Sequence, residues 1–162
     1  MAIPASIERF VRTSGVPFTP IHHRVAFTAQ EEAAAAHVPG REWAKTVVCM
    51  ADGRPILAVL PACSRVDLAA LRSLAGAREV RLATEQEFSG LYPECETGAM
   101  APLGPLYNQP VYVDDSLAED PEIVFHAGTH VDAIRIRFVD FVKLVHPVPG
   151  RLALQPAHER GY

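Results

Sequence analysis

Three short stretches of the sequence carry residue types and spacings that could do chemistry: REWAKTVVC at 41–49, GAMAPLG at 98–104 and FHAGTHVD at 125–132. The first sets Lys45 immediately ahead of a β-branched run. Of fifteen lysines and arginines only Lys45 and Lys143 are lysines. A lysine brings a compact ammonium to a phosphate or a developing negative charge, where arginine brings a wider planar fork. A solvated charge at a strand edge is the other reading of the same residue. In the second stretch Gly98, Pro102 and Gly104 form a G-x-x-x-P-x-G arrangement. Glycine admits close backbone approach and proline stiffens the chain, so such a loop can aim N–H groups at an oxyanion or a water. A tight connection between elements is the alternative. No Gly-Lys-Ser/Thr follows, so this is not a Walker A loop.

The third stretch places His126 and His130 four apart, the helical spacing of two metal ligands. Gly128 between them and the alternating pattern after them argue against a helix. The HExxH glutamate is also missing, so no metal is expected. His130, in a Gly-Thr-His turn ahead of a strand, reads as a polar pocket group; a structural or exposed histidine is the alternative. His22 and His23 follow a predicted strand, which can set them near the pocket, but they have no partner visible in sequence. Ser64, Ser89 and Ser116 lack a G-x-S-x-G elbow. Glu94, Glu96, Asp114 and Asp115 form no metal-binding loop. No nucleophile–base pair can be named.

Such residues must be held by a folded scaffold, and 162 residues at 49% hydrophobic and 21% charged suffice for one domain with a substantial core. A net charge of −4 and a pI near 5.9 argue against a protein that wraps long nucleic acid. They leave room for one that grips only an end. Cys49, Cys63 and Cys95 form no CxxC pair, and an odd count suits a reduced compartment. No stretch reaches the ~20 apolar residues of a membrane span. The N-terminus lacks an apolar signal-peptide core, so a cytoplasmic location is expected.

Local signals place the elements. Ser6 is read as the cap of a first helix carrying Ile7, Phe10 and Val11, stopped at Gly15. Phe18–Ile21 reads as a strand. Thr28-Ala29-Gln30-Glu31 has capping-box spacing ahead of an alanine-rich helix that ends near Pro39-Gly40. Asp52-Gly53 separates two β-rich runs, 46–50 and 56–60, as a hairpin would. Asp67 caps a helix that closes at Gly76. Val80–Leu82 is a strand, and Thr84 with Glu87 repeats the capping box. Tyr92–Pro110, rich in Gly and Pro, is an ordered loop long enough to suspect function. Asp114-Asp115-Ser116 reads as a cap or turn. Strands are expected at 111–113, 123–125 and 132–138, with Asp140 starting a last helix. Together they predict a single α+β domain with a mixed, largely antiparallel sheet and short helices packed around it.

REWAKTVV, DGRPILAVLPA, ETGAMAPLG, YVDDSL and FHAGTHVDAIRIRFVDFVKLV occur in an order that resembles the YbaK/ProX-like deacylases, editing domains related to the insertion domain of bacterial prolyl-tRNA synthetase. The resemblance covers residues 5–147. It implies an editing domain at 1–150 with a C-terminal tail at 151–162. It also implies a trans-acting hydrolase of the ester between a misattached amino acid and the 3′-terminal adenosine of tRNA, without cofactor. Lys45, Gly98 and His130 match the family's catalytic positions. Ala101, Pro102, Gly104, Gly128 and Thr129 match its substrate-binding loop and turn. The partners implied are the CCA end of aminoacyl-tRNA and a synthetase, with no membrane or general DNA binding. A non-catalytic module that recognises aminoacyl-tRNA or docks on a synthetase is the alternative. In the catalytic reading Lys45 holds the terminal nucleotide, a task that needs no lowered pKa, and the sequence shows no device for lowering one.

Overall fold

Turn chemistry dictates the central hairpin. In the computed structural model, which describes residues 3–24, 33–34, 36 and 38–154, β2 (Ala44–Ala51) and β3 (Arg54–Pro61) pair antiparallel from Ala44 opposite Pro61 to Ala51 opposite Arg54. Asp52 and Gly53 make the turn with φ of 50° and 81°, left-handed backbone that Asp and Gly tolerate. β5 (Val80–Leu82) adds antiparallel to β2. On the other side β6 (Val111–Asp114) runs parallel to β3, and β9 (Val148–Gly150) runs parallel to β6. The result is a mixed sheet of order β5-β2-β3-β6-β9.

A second sheet, of order β1-β8-β7, is wholly antiparallel: β1 (Thr19–His22), β8 (Asp132–Arg137) and β7 (Glu122–Thr129). The two sheets meet where Trp43 bridges to Val124 in parallel and the Val124 N–H donates to the Glu42 carbonyl at 3.0 Å. A two-residue ladder joins β4 (Arg65–Val66) to β10 (Ala153–Leu154). The buried Asp114 carboxylate fixes that ladder by accepting the Leu152 and Ala153 N–H groups.

Strand alternation sorts the side chains into cores. Val48, Leu57, Val59, Val111 and Val113 meet Ile123, Phe125, Ile134 and Ile136 in the main one. It is closed by Ile7 and Val11 of α1 (Ala5–Ser14) and by Phe141 and Leu144 of α5 (Phe138–Val145). On the opposite face Cys49, Ile56, Ala58 and Leu60 pack against Leu71 of α2 (Leu68–Ala75) and Leu152. Trp43, Val124 and Ala133 form a third cluster with Ala33 and Val38.

Several caps are as expected. Asp67 accepts from the Ala70 N–H, Thr84 and Glu87 complete a capping box on α3 (Glu85–Ser89), and Gly15 and Gly76 close their helices with left-handed backbone. Asp114 caps the 3-10 turn Asp115–Glu119. Other details differ. Ser6 is not the cap of α1: Pro4 occupies that position, and the Ser6 hydroxyl donates instead to Glu94. The last helix begins at Phe138, because the Phe138 N–H turns to the Pro121 carbonyl; Asp140 sits in the first turn and accepts from Arg137 at 2.7 Å. The loop after Tyr92 contains a one-turn helix, α4 (Gly104–Tyr107), with Pro105 in its first turn, where a missing N–H costs nothing. The capping-box segment Thr28–Glu31 and residues 155–162 lie outside the described residues.

Candidate functional site

The turn between β7 and β8 needs glycine. Gly128 has φ of 95°, and a Cβ there would lie 2.6 Å from Pro4 Cγ, so α1 packs directly against its backbone. Thr129 next to it donates its hydroxyl to buried Asp132 at 2.6 Å and accepts the Val131 N–H. These bonds hold His130 at the apex.

The motif loop is fastened to that turn by four hydrogen bonds. The Gly128 N–H donates to the Ala99 carbonyl at 2.9 Å, and the Glu96 N–H donates to the Gly128 carbonyl at 2.8 Å. The Glu96 carboxylate accepts the His130 N–H at 2.6 Å, and His130 Nε2 lies 2.9 Å from the Thr97 carbonyl. A carbonyl can only accept, so that nitrogen carries the proton. Gly98 has φ of 87°, and a Cβ on it would stand 3.7 Å from the His130 ring. The predicted loop and histidine therefore converge. Further along, Ala101, Pro102, Leu103 and Gly104 are buried, with Met100, Ala101 and Leu103 in the main core. A Cβ on Gly104 would fall 2.2 Å from the Gln109 carbonyl oxygen, giving that glycine a packing reason. The loop's base is closed by Tyr92, which donates to Gln109 and stands edge-on to Tyr107 at 4.7 Å.

Lys45 lies on β2 of the other sheet. It pairs with Leu60 and, two residues from Trp43, leaves the strand on the same face as Trp43, while Ala44 between them enters the main core. From Trp43 a series of edge-to-face rings leads to the turn: Trp43 to His126 at 5.6 Å, then His126 to His130 at 6.0 Å. His23 packs on the other side of Trp43 at 5.9 Å. Half-burial lowers the Lys45 pKa below the ordinary lysine range; Cys63 opposes this shift and Arg65 adds to it. No residue pattern along the chain signals that depression, because it comes chiefly from burial in the fold. Burial, with His130 and His23 adding, pushes His126 down to about 3 against a smaller contribution from the Thr129 backbone. The ring series therefore stays neutral at His126 near pH 7.

Trp43 and Glu96 were not singled out as functional from sequence, whereas His126 was weighed there only as a metal ligand and His23 only as a neighbour of the pocket. The one available signal was that Trp43 is the chain's single tryptophan, inside the REWAK stretch. The loop and turn together offer a hydrogen-bonded imidazole and a Gly98 amide that has no acceptor among the described residues, and the half-buried Lys45 ammonium stands apart from them on β2. In that loop the Ala99 N–H is committed to the Glu96 carbonyl and the Ala101 N–H to the Cys95 sulfur. Among the described residues no group of three His, Cys, Asp or Glu side chains is placed to hold a metal ion, and no helix is long and apolar enough to cross a membrane.

The family model of the aminoacyl-tRNA editing domain matches residues 23–144. Proline–tRNA ligase 1 of Anaeromyxobacter dehalogenans (strain 2CP-C) is 34% identical over 109 residues, which are 67% of this chain and 18% of the ligase. The chain therefore spans less than a fifth of that relative. The solved structure of a hypothetical protein superposes with a TM-score of 0.82 at 21% identity, covering 92% of this chain and 99% of the other. That of a candidate trans-editing enzyme for prolyl-tRNA synthetase gives 0.78 at 23% identity, covering 94% and 99%. These likenesses show a shared fold.

Proposed function

Because the chain belongs to the aminoacyl-tRNA editing domain family, we propose that it is a deacylase that hydrolyses the ester of mischarged tRNA at the 3′-terminal adenosine. The observation that carries this reading is the fastening of the Gly98 loop to the His130 turn, with Lys45 on the strand face that leads to it. An aminoacyl ester is already activated. Its hydrolysis needs an aligned water, a restrained carbonyl and stabilisation of the tetrahedral oxyanion.

Each residue has a task in this reading. Lys45 binds the terminal nucleotide's phosphate or ribose, and its partial desolvation strengthens that contact. The Gly98 amide faces the oxyanion or the water. His130 lines the aminoacyl pocket, oriented by its proton to the Thr97 carbonyl. Gly128, Thr129 and Gly104 keep the turn and loop in place, and Ala101 and Pro102 anchor the loop's far limb. The acidic net charge is compatible, since only a single-stranded end must enter.

A deacylation panel of mischarged tRNAs tests the reading. At least one ester should be cleared faster than its spontaneous rate, and Lys45→Ala should lower kcat/KM by tenfold or more. If no ester is cleared faster than spontaneously and Lys45→Ala matches the wild type, the reading fails. Tight binding of a non-hydrolysable aminoacyl-adenosine analogue would then mark a binding module.

A further inference from the structure

The second lysine, Lys143, has no place in the site above, and it lines a cleft of about 430 Å³ between α1 and α5. α1 presents Ser6, Arg9, Phe10 and Thr13 to this cleft, a stripe at helical spacing that flanks its core residues Ile7 and Val11, with Phe10 packed against the same core. Lys143 faces them from α5, and Leu106 of α4 contributes to the apolar floor with half-buried Phe10. No acidic side chain lines the cleft, although the chain carries a net charge of −4. Of the nearby carboxylates, Asp140 is ion-paired with Arg137 at 2.7 Å and Lys143 at 4.0 Å, while Glu94 accepts from the Ser6 hydroxyl and keeps its negative charge at the cleft's edge. Two cations above an aromatic and aliphatic floor suit an anion with a flat apolar part.

The cleft also shares its walls with the candidate site. Pro4, the N-cap of α1, and Ile7 in its first turn bracket Ser6 in sequence and are the residues nearest to Gly128. Glu94 belongs to the segment that leads into the motif loop, and α4 begins at Gly104, where that loop ends. A polyanion whose terminus lies at His130 must run on from the turn over the surface. The adjoining cleft meets it with positive charge and a ring for stacking.

We propose that the α1–α5 cleft holds the single-stranded RNA segment leading into the site, with Arg9 and Lys143 on phosphates and Phe10 beneath a base. This rests on the deacylase reading for the identity of the strand. Stacking on aromatic side chains together with backbone cations is how single strands are held without sequence readout.

The test compares two substrates with the same aminoacyl ester, full-length tRNA and 3′-aminoacyl-adenosine, across wild type, Arg9→Gln, Lys143→Gln, the double variant and Lys143→Arg. Both positions are exposed, so melting temperatures should match and the comparison is between folded proteins. The ratio of kcat/KM for tRNA to that for the adenosine ester should fall about tenfold in the double variant and return towards wild type in Lys143→Arg. The salt dependence of tRNA affinity should flatten by about 0.7 in log–log slope for each phosphate that is no longer neutralised. A ratio and slope unchanged from wild type would overturn the proposal and leave the cleft as a face for a protein partner. If the wild-type protein hydrolyses neither ester, the deacylase reading fails. The cleft is then decided by anisotropy with a labelled, uncharged CCA-ended minihelix. A Kd raised about tenfold in the double variant supports it, and an equal Kd overturns it.

Discussion

Gly98 and Gly128 share left-handed backbone, yet a methyl group meets different surroundings at the two positions. At Gly98 the nearest atom would be His130 Cε1 at 3.7 Å, ordinary contact distance, so alanine there costs only the φ strain, on the order of 1–2 kcal/mol. At Gly128 the same strain is joined by Pro4 atoms at 2.6 and 2.7 Å that belong to the seat of α1. Gly98→Ala should therefore lower turnover by tenfold or more while shifting Tm by only a few degrees, and Gly128→Ala should lower Tm much more strongly. Thermal melts beside single-turnover deacylation would separate the two. Matched losses of stability and activity in Gly98→Ala would make that glycine a purely structural one. Both glycines and His130 were visible in the sequence because the motif puts them at fixed local offsets. The packing of Trp43 on His126 was hidden because it joins residues 83 positions apart (126 minus 43). The depressed pKa of Lys45 was hidden for the same reason, since it arises from tertiary burial.

Among the elements, the loop that leads into the motif depends on Glu96 for its attachment to the β7–β8 turn. Its carboxylate and its backbone N–H reach His130 and Gly128, and its carbonyl accepts the Ala99 N–H. Replacing the side chain by alanine removes a charge-assisted bond of roughly 1.5–3 kcal/mol, whereas glutamine keeps an oxygen that can accept the same N–H. Glu96→Ala should thus lose kcat with a smaller change in Tm, and Glu96→Gln should recover most of it. Equal kcat in the two variants would show that the His130 amide does not need this partner. Elements whose signals are local were legible: the Asp-Gly hairpin, the Asp67 and Thr84 caps and the glycine stops all depend on neighbours within a few residues. The division into two sheets was not, because it is set by non-local pairings such as β3 with β6, 54 positions apart at Leu57 and Val111 (111 minus 57). The start of α5 was misjudged for a related reason. Phe138 continues the strand's alternation, and only its bond to the Pro121 carbonyl shows where the strand stops.

At the scale of the whole molecule the two sheets are joined at Trp43, and His126 packs its imidazole against that seam with His130 and His23 as the titratable neighbours that add to its shift. Folded, His126 binds a proton only near pH 3; in the unfolded chain its value is the ordinary 6.5. Between these values the unfolded state holds more protons, so stability rises with pH across the window and is lost as pH falls from about 6.5 towards 3. Above 6.5 this contribution is constant. One such group gives a slope of at most about 1.4 kcal/mol per pH unit. Half-buried Glu87, held down to about 2 chiefly by Arg81, acts in the same sense only below its ordinary 4.5. The upper part of the window, between pH 6.5 and 5, therefore isolates the histidine from that carboxylate. Urea midpoints measured there should decline steadily for the wild type and much less for His126→Gln, which cannot titrate. The variant will be less stable at pH 7.5, since an amide fits the ring pocket poorly, so the slope and not the absolute midpoint is the diagnostic quantity. If both proteins lose stability in parallel between pH 6.5 and 5, the buried histidine is not the group that makes the seam acid-sensitive.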